Sequence, residues 1–510
     1  MDIKKLVSAV ITFAVLLAIN TTSFAIEEHS DHDEHDELFK IVEVNDGTIL
    51  NITDCVALAY KNSPKIRRKK YELDVAKSHL GVAKSRFFPV FSAGVGLNFE
   101  KNSDSIYYDR RYRDLPVIGV SLNQLIWDFG KSLSFIKMEK FRKIAAEYEF
   151  MDALCYTLFD IKAKYYNLLQ AKALFNVAKN NVAINENFVK LAKSKSAADL
   201  ATAELNLSEA KIKYIEAQNT LNNAKYDLSN AMYIEVQPKY DIENTPTFTY
   251  NDDYAYGSKH VEKKPFEPYE FPFKIEDAPK IAYENSPDLQ VLINVKEAMA
   301  QSLKYVKRAF LPDLSADLGY GYNNSRYTND PSHNNNLRVG VNLAMSTNLM
   351  ELKHSIGEAK AELNIADNEI TLFKKDLYYE LQRAFNNVER AKKQVPTAKI
   401  EVEQALKNLE IVEGRYKSNA LNYVALQDAR KDYIRALDSY IESVYNYNIA
   451  LIQVEMAMHY HLVDIHHKSE HAMHYHSEEL LEHLNKVMDC DENEVSSKKS
   501  KNKNKTIKNK

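Results

Sequence analysis

Of the 15 histidines, 11 crowd into two short tails, and they are the residues whose type and spacing could do chemistry. His29, His32 and His35 stand near the N-terminus, and eight more run from His459 to His483. His-Tyr-His at 459–461 and 474–476, with His466-His467, brings imidazoles close enough to chelate Zn, Cu or Ni. A solvated tail is the preferred reading, with metal buffering beside a metal-extruding pump as the alternative. No cofactor is expected. Cys55, Cys155 and Cys490 are odd in number and at no metal-ligand spacing, so they imply neither a disulfide framework nor a cluster. There is no Gly-rich phosphate loop, no Gly-x-Ser-x-Gly and no His-Glu-x-x-His, so no enzyme is expected. A net charge of −4 gives no reason to expect nucleic-acid binding.

The elements that would carry such residues are long helices. The 510 residues hold 12 Gly, where average usage would give about 36. Between Gly130 and Pro238 lie 107 residues with neither Gly nor Pro, which the βα turns of an α/β enzyme could not tolerate. At the N-terminus, Lys4 and Lys5 precede an apolar run from Leu6 to Ile19 and small residues at Ser23 and Ala25. That layout predicts a signal peptide over 1–25 and an exported mature chain. No later segment has the apolar length of a transmembrane helix.

The chain then says the same thing twice. Ala59-Tyr60-Lys61-Asn62-Ser63-Pro64 returns 223 residues later as Ala282-Tyr283-Glu284-Asn285-Ser286-Pro287. Phe87-Phe88-Pro89 answers to Phe310-Leu311-Pro312 in the same register. Such an offset marks two structural repeats, 53–232 and 276–458. A His- and acid-rich segment, 26–52, precedes them, and a linker, 233–275, with five of the 13 prolines joins them. A His-rich, then Lys-rich tail covers 459–510, its end reading as disordered.

Each repeat predicts one continuous opening helix, over about 53–86 and 276–309. Two alternating strands follow: about 89–99 with 117–127, and 312–322 with 336–346. Polar loops at 100–116 and 323–335 join them, and six of the 12 glycines lie in these strands. A very long helix comes next, about 131–195 and 350–415, and then a last one, about 199–232 and 422–458. Leu200, Ala203, Leu207, Ala210 and Tyr214 begin a 3,4 spacing that runs unbroken to Ala231. Ala429, Tyr433, Ala436 and Tyr440 begin its counterpart, and Leu377, Leu381, Ala384 and Val388 another. A period of 3.5 is a coiled-coil seam. A helix of that length spans roughly 95 Å at 1.5 Å per residue.

Strands of this length cross a bilayer when tilted. Four strands cannot close a barrel, and an open edge cannot sit in lipid, so a membrane reading requires several chains. Three chains would give twelve strands. Trp127, Phe87, Phe88, Phe129, Tyr107, Tyr108 and Tyr112 lie near strand ends, as an interfacial aromatic girdle demands.

The double repeat, the Asn-Ser-Pro of each half and the Phe-Phe-Pro before the strands resemble the TolC-like outer-membrane efflux proteins. So does Asn123-Gln124-Leu125-Ile126-Trp127-Asp128-Phe129-Gly130. Asp199-Leu200-Ala201-Thr202-Ala203 and Gln427-Asp428-Ala429 look like the family's Asp-Val-Leu-Asp-Ala element. The resemblance covers about 50–460. It implies a mainly α fold of tandem coiled-coil hairpins forming a periplasmic tunnel. Four strands per chain would supply one third of a trimeric 12-stranded barrel in the outer membrane of a Gram-negative bacterium. The function implied is a passive exit duct of a tripartite efflux or type I secretion system. Its partners would be two further copies, outer-membrane lipid, a periplasmic adaptor and an inner-membrane pump of RND, ABC or MFS type. The alternatives are a coiled-coil structural or adhesion protein, and a periplasmic metal-binding protein acting through its tails.

The resemblance also implies a gate. Tyr416-Lys417-Ser418-Asn419 matches the family's Tyr-x-x-Gly turn, with Asn, which tolerates the left-handed conformation, in the Gly place. Tyr416 and Asp199 stand where the family pairs a gate tyrosine with an aspartate, and Asp428 matches one of two aspartates that ring the aperture. The other aspartate position is Ala425 and the gate-arginine position is Leu421, so a closed state must rest on other contacts. From the residues alone, Asp199 and Asp428 equally fit a solvated helix face, and Tyr416 fits coiled-coil packing.

Overall fold

A proline breaks the opening helix of each repeat in the same way. The computed structural model describes residues 44, 47–100, 113–193, 197–234, 240–242, 269, 271, 273–323, 334–418 and 420–459. After a two-residue strand, β1 (Ile49–Leu50), the expected helix over 53–86 is two helices, α1 (Ile52–Asn62) and α2 (Pro64–Ser85). Ser63 and Ser286 have ψ of 114° and 115°, and each N–H reaches back 2.9 Å to the carbonyl of Ala59 or Ala282. The following prolines cannot continue the ladder, and they push the residue before them to extended backbone. The two breaks lie 223 residues apart, so the repeat is structural as well as sequential.

Next come β2 (Val90–Glu100), β3 (Arg113–Trp127), α3 (Lys131–Ala192), α4 (Ala197–Ala231) and the two-residue β4 (Asp241–Ile242). The second repeat supplies α5 (Ala278–Asn285), α6 (Pro287–Lys307), β5 (Asp313–Asn323), β6 (Asn334–Ala344), α7 (Leu349–Lys417) and α8 (Tyr423–Met458). Contacts divide the chain into two units, 65–153 with 277–381, and 1–64 with 154–276 and 382–510. Each unit draws on both repeats. Among the described residues no helix is long and apolar enough to cross a membrane.

The first unit is built on one antiparallel sheet of order β2-β3-β5-β6. Its middle pair, β3 with β5, joins the two repeats. Glycines stack across three strands at Gly94, Gly119 and Gly321. β3 carries a bulge between Leu125 and Trp127. The turn into α3 uses Phe129 and Gly130 at φ of 53° and 84°. Buried Asp128 holds it by accepting hydrogen bonds from the N–H groups of Gly130, at 3.0 Å, and Ser132. Arg308 donates to the Gly130 carbonyl at 2.8 Å and to Ser134 Oγ at 2.7 Å. A Cβ at position 130 would lie 2.8 Å from that guanidinium, so glycine is required both for φ and for room.

The second unit is helical, and the 3,4 stripes are its packed faces. Ala203, Ala210 and Leu228 of α4 are buried, as are Ala384, Val388 and Ala391 of α7 and Ala436, Tyr440 and Tyr447 of α8. Its core gathers Ile52, Cys55 and Ala59 of α1 with Ile161, Tyr165 and Leu168 of α3 and Leu437 and Ile441 of α8. Burial pushes the Cys55 thiol up to about 12, leaving it unreactive. Neither Cys55 nor Cys155 is in a disulfide. Lys162 and Glu455 form a buried ion pair at 2.9 Å. In the linker, the Tyr269 N–H donates to Tyr447 Oη at 2.8 Å, and Phe271 packs edge-on against Phe385. Most of the linker, the signal segment, the N-terminal histidines, the C-terminal tail beyond His459 and Tyr107, Tyr108 and Tyr112 lie outside the described residues.

Candidate functional site

Two places hold residues that could act: the helix ends of the helical unit and the faces of the sheet. At the helix ends, α3 gives way to α4 and α7 to α8. Asn422 caps α8 by accepting from the Ala425 N–H at 3.0 Å, so Ala425, in the place of the missing aspartate, serves the cap through its backbone. Asn419, at the Gly place of the turn, lies outside the described residues.

Tyr416 is half-buried. Its ring lies 6.3 Å from that of Tyr423, which in turn lies 5.9 Å from Phe188, so three aromatics link α7, α8 and α3. Tyr423 is buried against Ala192 and Ala203, with Leu200 and Tyr416 packed on the same cluster. Asp199 precedes Leu200 in the first turn of α4, where a carboxylate suits the helix dipole. Tyr416 and Asp199 thus flank one cluster. Asp428 stands apart on the exposed face of α8, between buried Gln427 and buried Ala429. Among the described residues it takes part in no ion pair. The structure therefore brings two of the three predicted residues to one place and leaves the third facing solvent.

Three further residues at this place, Asn206, Gln427 and Arg430, were given no role by the sequence reading. Gln427 donates to Tyr423 Oη, and Asn206 of α4 bonds the same hydroxyl. Burial pushes the Tyr423 hydroxyl up, opposed by these bonds and by the charge of Arg430. Arg430 lies 3.9 Å over the Phe188 ring and pairs with Glu413 of α7 at 3.0 Å. With Leu421 in the gate-arginine position, Arg430 is the arginine that ties these helix ends together. The spacing of Tyr423, Leu426, Gln427 and Arg430 was the available signal. It is an i, i+3, i+4, i+7 stripe, which turns its two polar members inward. Lys431 adds a bond to Glu209 of α4 at 2.8 Å.

The sheet sorts its side chains by face. One face reads Phe91, Leu122, Leu318, Val339 in one row across the strands and Ala93, Val120, Tyr320, Leu337 in the next. The other reads Ser92, Ser121, Gly319, Arg338, then Val90, Asn123, Asp317, Gly340, with Val90 the one apolar side chain of these two rows. On the apolar face Val95 is 80% and Val339 74% exposed, far more than a face covered by its own chain would show. On the polar face Asn342 donates to Asp317, whose carboxylate lies over Gly340 where a Cβ would come within 3.0 Å. β2 and β6 are edges with no partner strand among the described residues.

The sequence pattern of a family described as outer membrane efflux protein matches residues 56–232 and 278–458. Among solved structures, the outer membrane channel CmeC of Campylobacter jejuni is 17% identical with a TM-score of 0.67, covering 83% of this chain and 91% of its own. The open state of the MtrE outer membrane channel of Neisseria gonorrhoeae gives 13% and 0.64, covering 80% and 88%. The outer membrane protein VceC of Vibrio cholerae gives 14% and 0.63, covering 79% and 95%. At these identities the likeness is one of fold. No curated protein matches the chain.

Proposed function

Because the chain belongs to the outer membrane efflux protein family, we propose that three copies join edge to edge, β6 of one to β2 of the next, into a single 12-stranded duct. The family is one of passive outer-membrane channels rather than enzymes, and the protein is an exit duct of an efflux system in the outer membrane. The observation that carries the trimer is the sheet itself: one apolar face, one polar face and two open edges, which lipid does not tolerate. Closure by copies removes the edges, turns the apolar face to lipid and leaves Ser121, Arg338 and Asp317 lining the lumen.

The helix ends form the periplasmic aperture in this reading, with Asp199, Tyr416 and Asp428 at its rim. A periplasmic adaptor and an inner-membrane pump of RND, ABC or MFS type dock there and supply the energy. The Tyr423–Arg430–Glu413 contacts hold the ends together, and Asp428 is the residue placed to face passing ions. Threefold repetition of its carboxylate gives a negative ring that favours cations. In planar bilayers under a salt gradient, Asp428→Ala moves the reversal potential toward zero, a loss of cation selectivity. An unchanged reversal potential would remove Asp428 from the lumen.

A further inference from the structure

A cavity of about 410 Å³ lies beside the β3–α3 turn. Trp127, Phe129 and Leu133 form its apolar wall, and Lys137, Lys304 and Arg308 bring three cations to it. No carboxylate lines it. Lys137 and Lys304 are exposed and form no ion pair among the described residues. Arg308 spends Nη1 on Gly130 and Ser134, which fixes the guanidinium against the turn. Such a concentration of uncompensated positive charge in a chain of net charge −4 calls for an anion.

The apolar wall decides which anion. Strict alternation would put Trp127 on the polar face of β3 with Leu125. The bulge between them pairs Trp127 with Leu314 instead, on the apolar face and in one row with Leu343, itself 67% exposed. The Trp127 and Phe129 rings meet edge to face at 6.3 Å. The apolar face therefore reaches the cavity through Ala316 with Val341 and then Leu314 with Leu343, and the cations begin where that face ends. Gln124 of β3 is its one polar member there, donating to the Phe87 and Leu125 carbonyls. That sequence of apolar band, aromatic ring and positive charge matches acyl chain, glycerol and phosphate in order. A free anion would have no use for the apolar wall.

We propose that this cavity binds the phosphate headgroup of an anionic membrane phospholipid, with its acyl chains lying along the Leu314–Leu343 row. The proposal rests on the reading that the sheet faces lipid. Its test uses the full-length trimer in detergent, with bound phosphatidylglycerol counted by native mass spectrometry. Phosphatidylglycerol is expected to bind more tightly than phosphatidylcholine of the same chain length. The K137Q/K304Q variant weakens it by roughly 30-fold, at about a fivefold loss per lysine. The same variant still assembles and conducts, and replacing the exposed lysines Lys392 and Lys407 of α7 by Gln leaves lipid binding unchanged. Equal affinity in K137Q/K304Q and the unaltered protein would overturn the proposal. So would displacement of the lipid by equimolar inorganic phosphate or by a polyglutamate peptide, which would make this a site for a small anion or an acidic segment. If a conducting trimer forms and the lysines prove indifferent, the lipid site alone falls. If no trimer forms, the duct reading falls and takes the site with it.

Discussion

Val95→Arg empties the outer membrane of folded trimer, while Ser92→Arg, three residues earlier on the same strand, does not. Val95 is the most exposed large apolar residue among the described side chains of the sheet and sits mid-strand in β2. An arginine near the bilayer midplane on the lipid face costs about 2–4 kcal/mol. Threefold symmetry imposes that cost three times in one assembly, on the order of the whole stability of a domain. Ser92 faces the other way, in a row that already holds Arg338, so a further guanidinium there meets water and not lipid. Heat-modifiable trimer in the outer-membrane fraction is the readout. Equal loss from both variants would mean that the two faces are not chemically distinct surroundings.

Lys162→Met has the largest expected effect in the helical unit. The Lys162 side chain is 5% exposed and that of Glu455 3%, too little for solvent to replace a lost partner. Removing one member of a buried pair leaves an uncompensated charge and costs about 3–5 kcal/mol, whereas exchanging both for apolar residues is often neutral. Tyr166 senses the same carboxylate: burial first, then Glu455, pushes its hydroxyl up to about 12. In urea unfolding followed by circular dichroism, Lys162→Met lowers the midpoint strongly and the K162M/E455L double variant recovers most of the loss. A double variant no better than the single one would show that the pair is not coupled.

The repeat was legible because the same local demands recur at a fixed offset. Ser63 and Ser286 are forced out of the helix by the next residue, whatever packs around them. The coiled-coil stripes were legible because periodicity survives in sequence, and the strand faces because alternation does. The continuous opening helix was misread because the helical pattern on both sides of Pro64 and Pro287 outweighed the preference of the residue before each proline. Other features depend on which distant surface meets which. The Lys162–Glu455 pair joins residues 293 apart, and neither has a local pattern that marks it as buried. The pairing of β3 with β5 is a choice among strand orders that alternation leaves open. Arg430 and Gln427 were hidden for a different reason: polar residues on a buried stripe look like breaks in it, although here they cross-link the helix ends. The bulge that turns Trp127 outward adds one residue to a strand, and the alternation on both sides of it reads normally.

In the proposed duct β6 of one copy pairs with β2 of the next, which makes a sealed wall from chains that each have two open edges. Disulfide trapping at that seam tests it. In a background with Cys55→Ala, Cys155→Ser and Cys490→Ser, a cysteine at Ala93 in β2 is combined in turn with one at Leu337, Val339, Val341 or Leu343 in β6. All five positions lie on the apolar face, and the two strands would run antiparallel across the seam. Oxidation in intact cells is predicted to yield covalent dimers and trimers for one or two adjacent pairs, reversible by reductant, and none for either cysteine alone. Monomer from every pair, in protein recovered from the outer membrane, would contradict it.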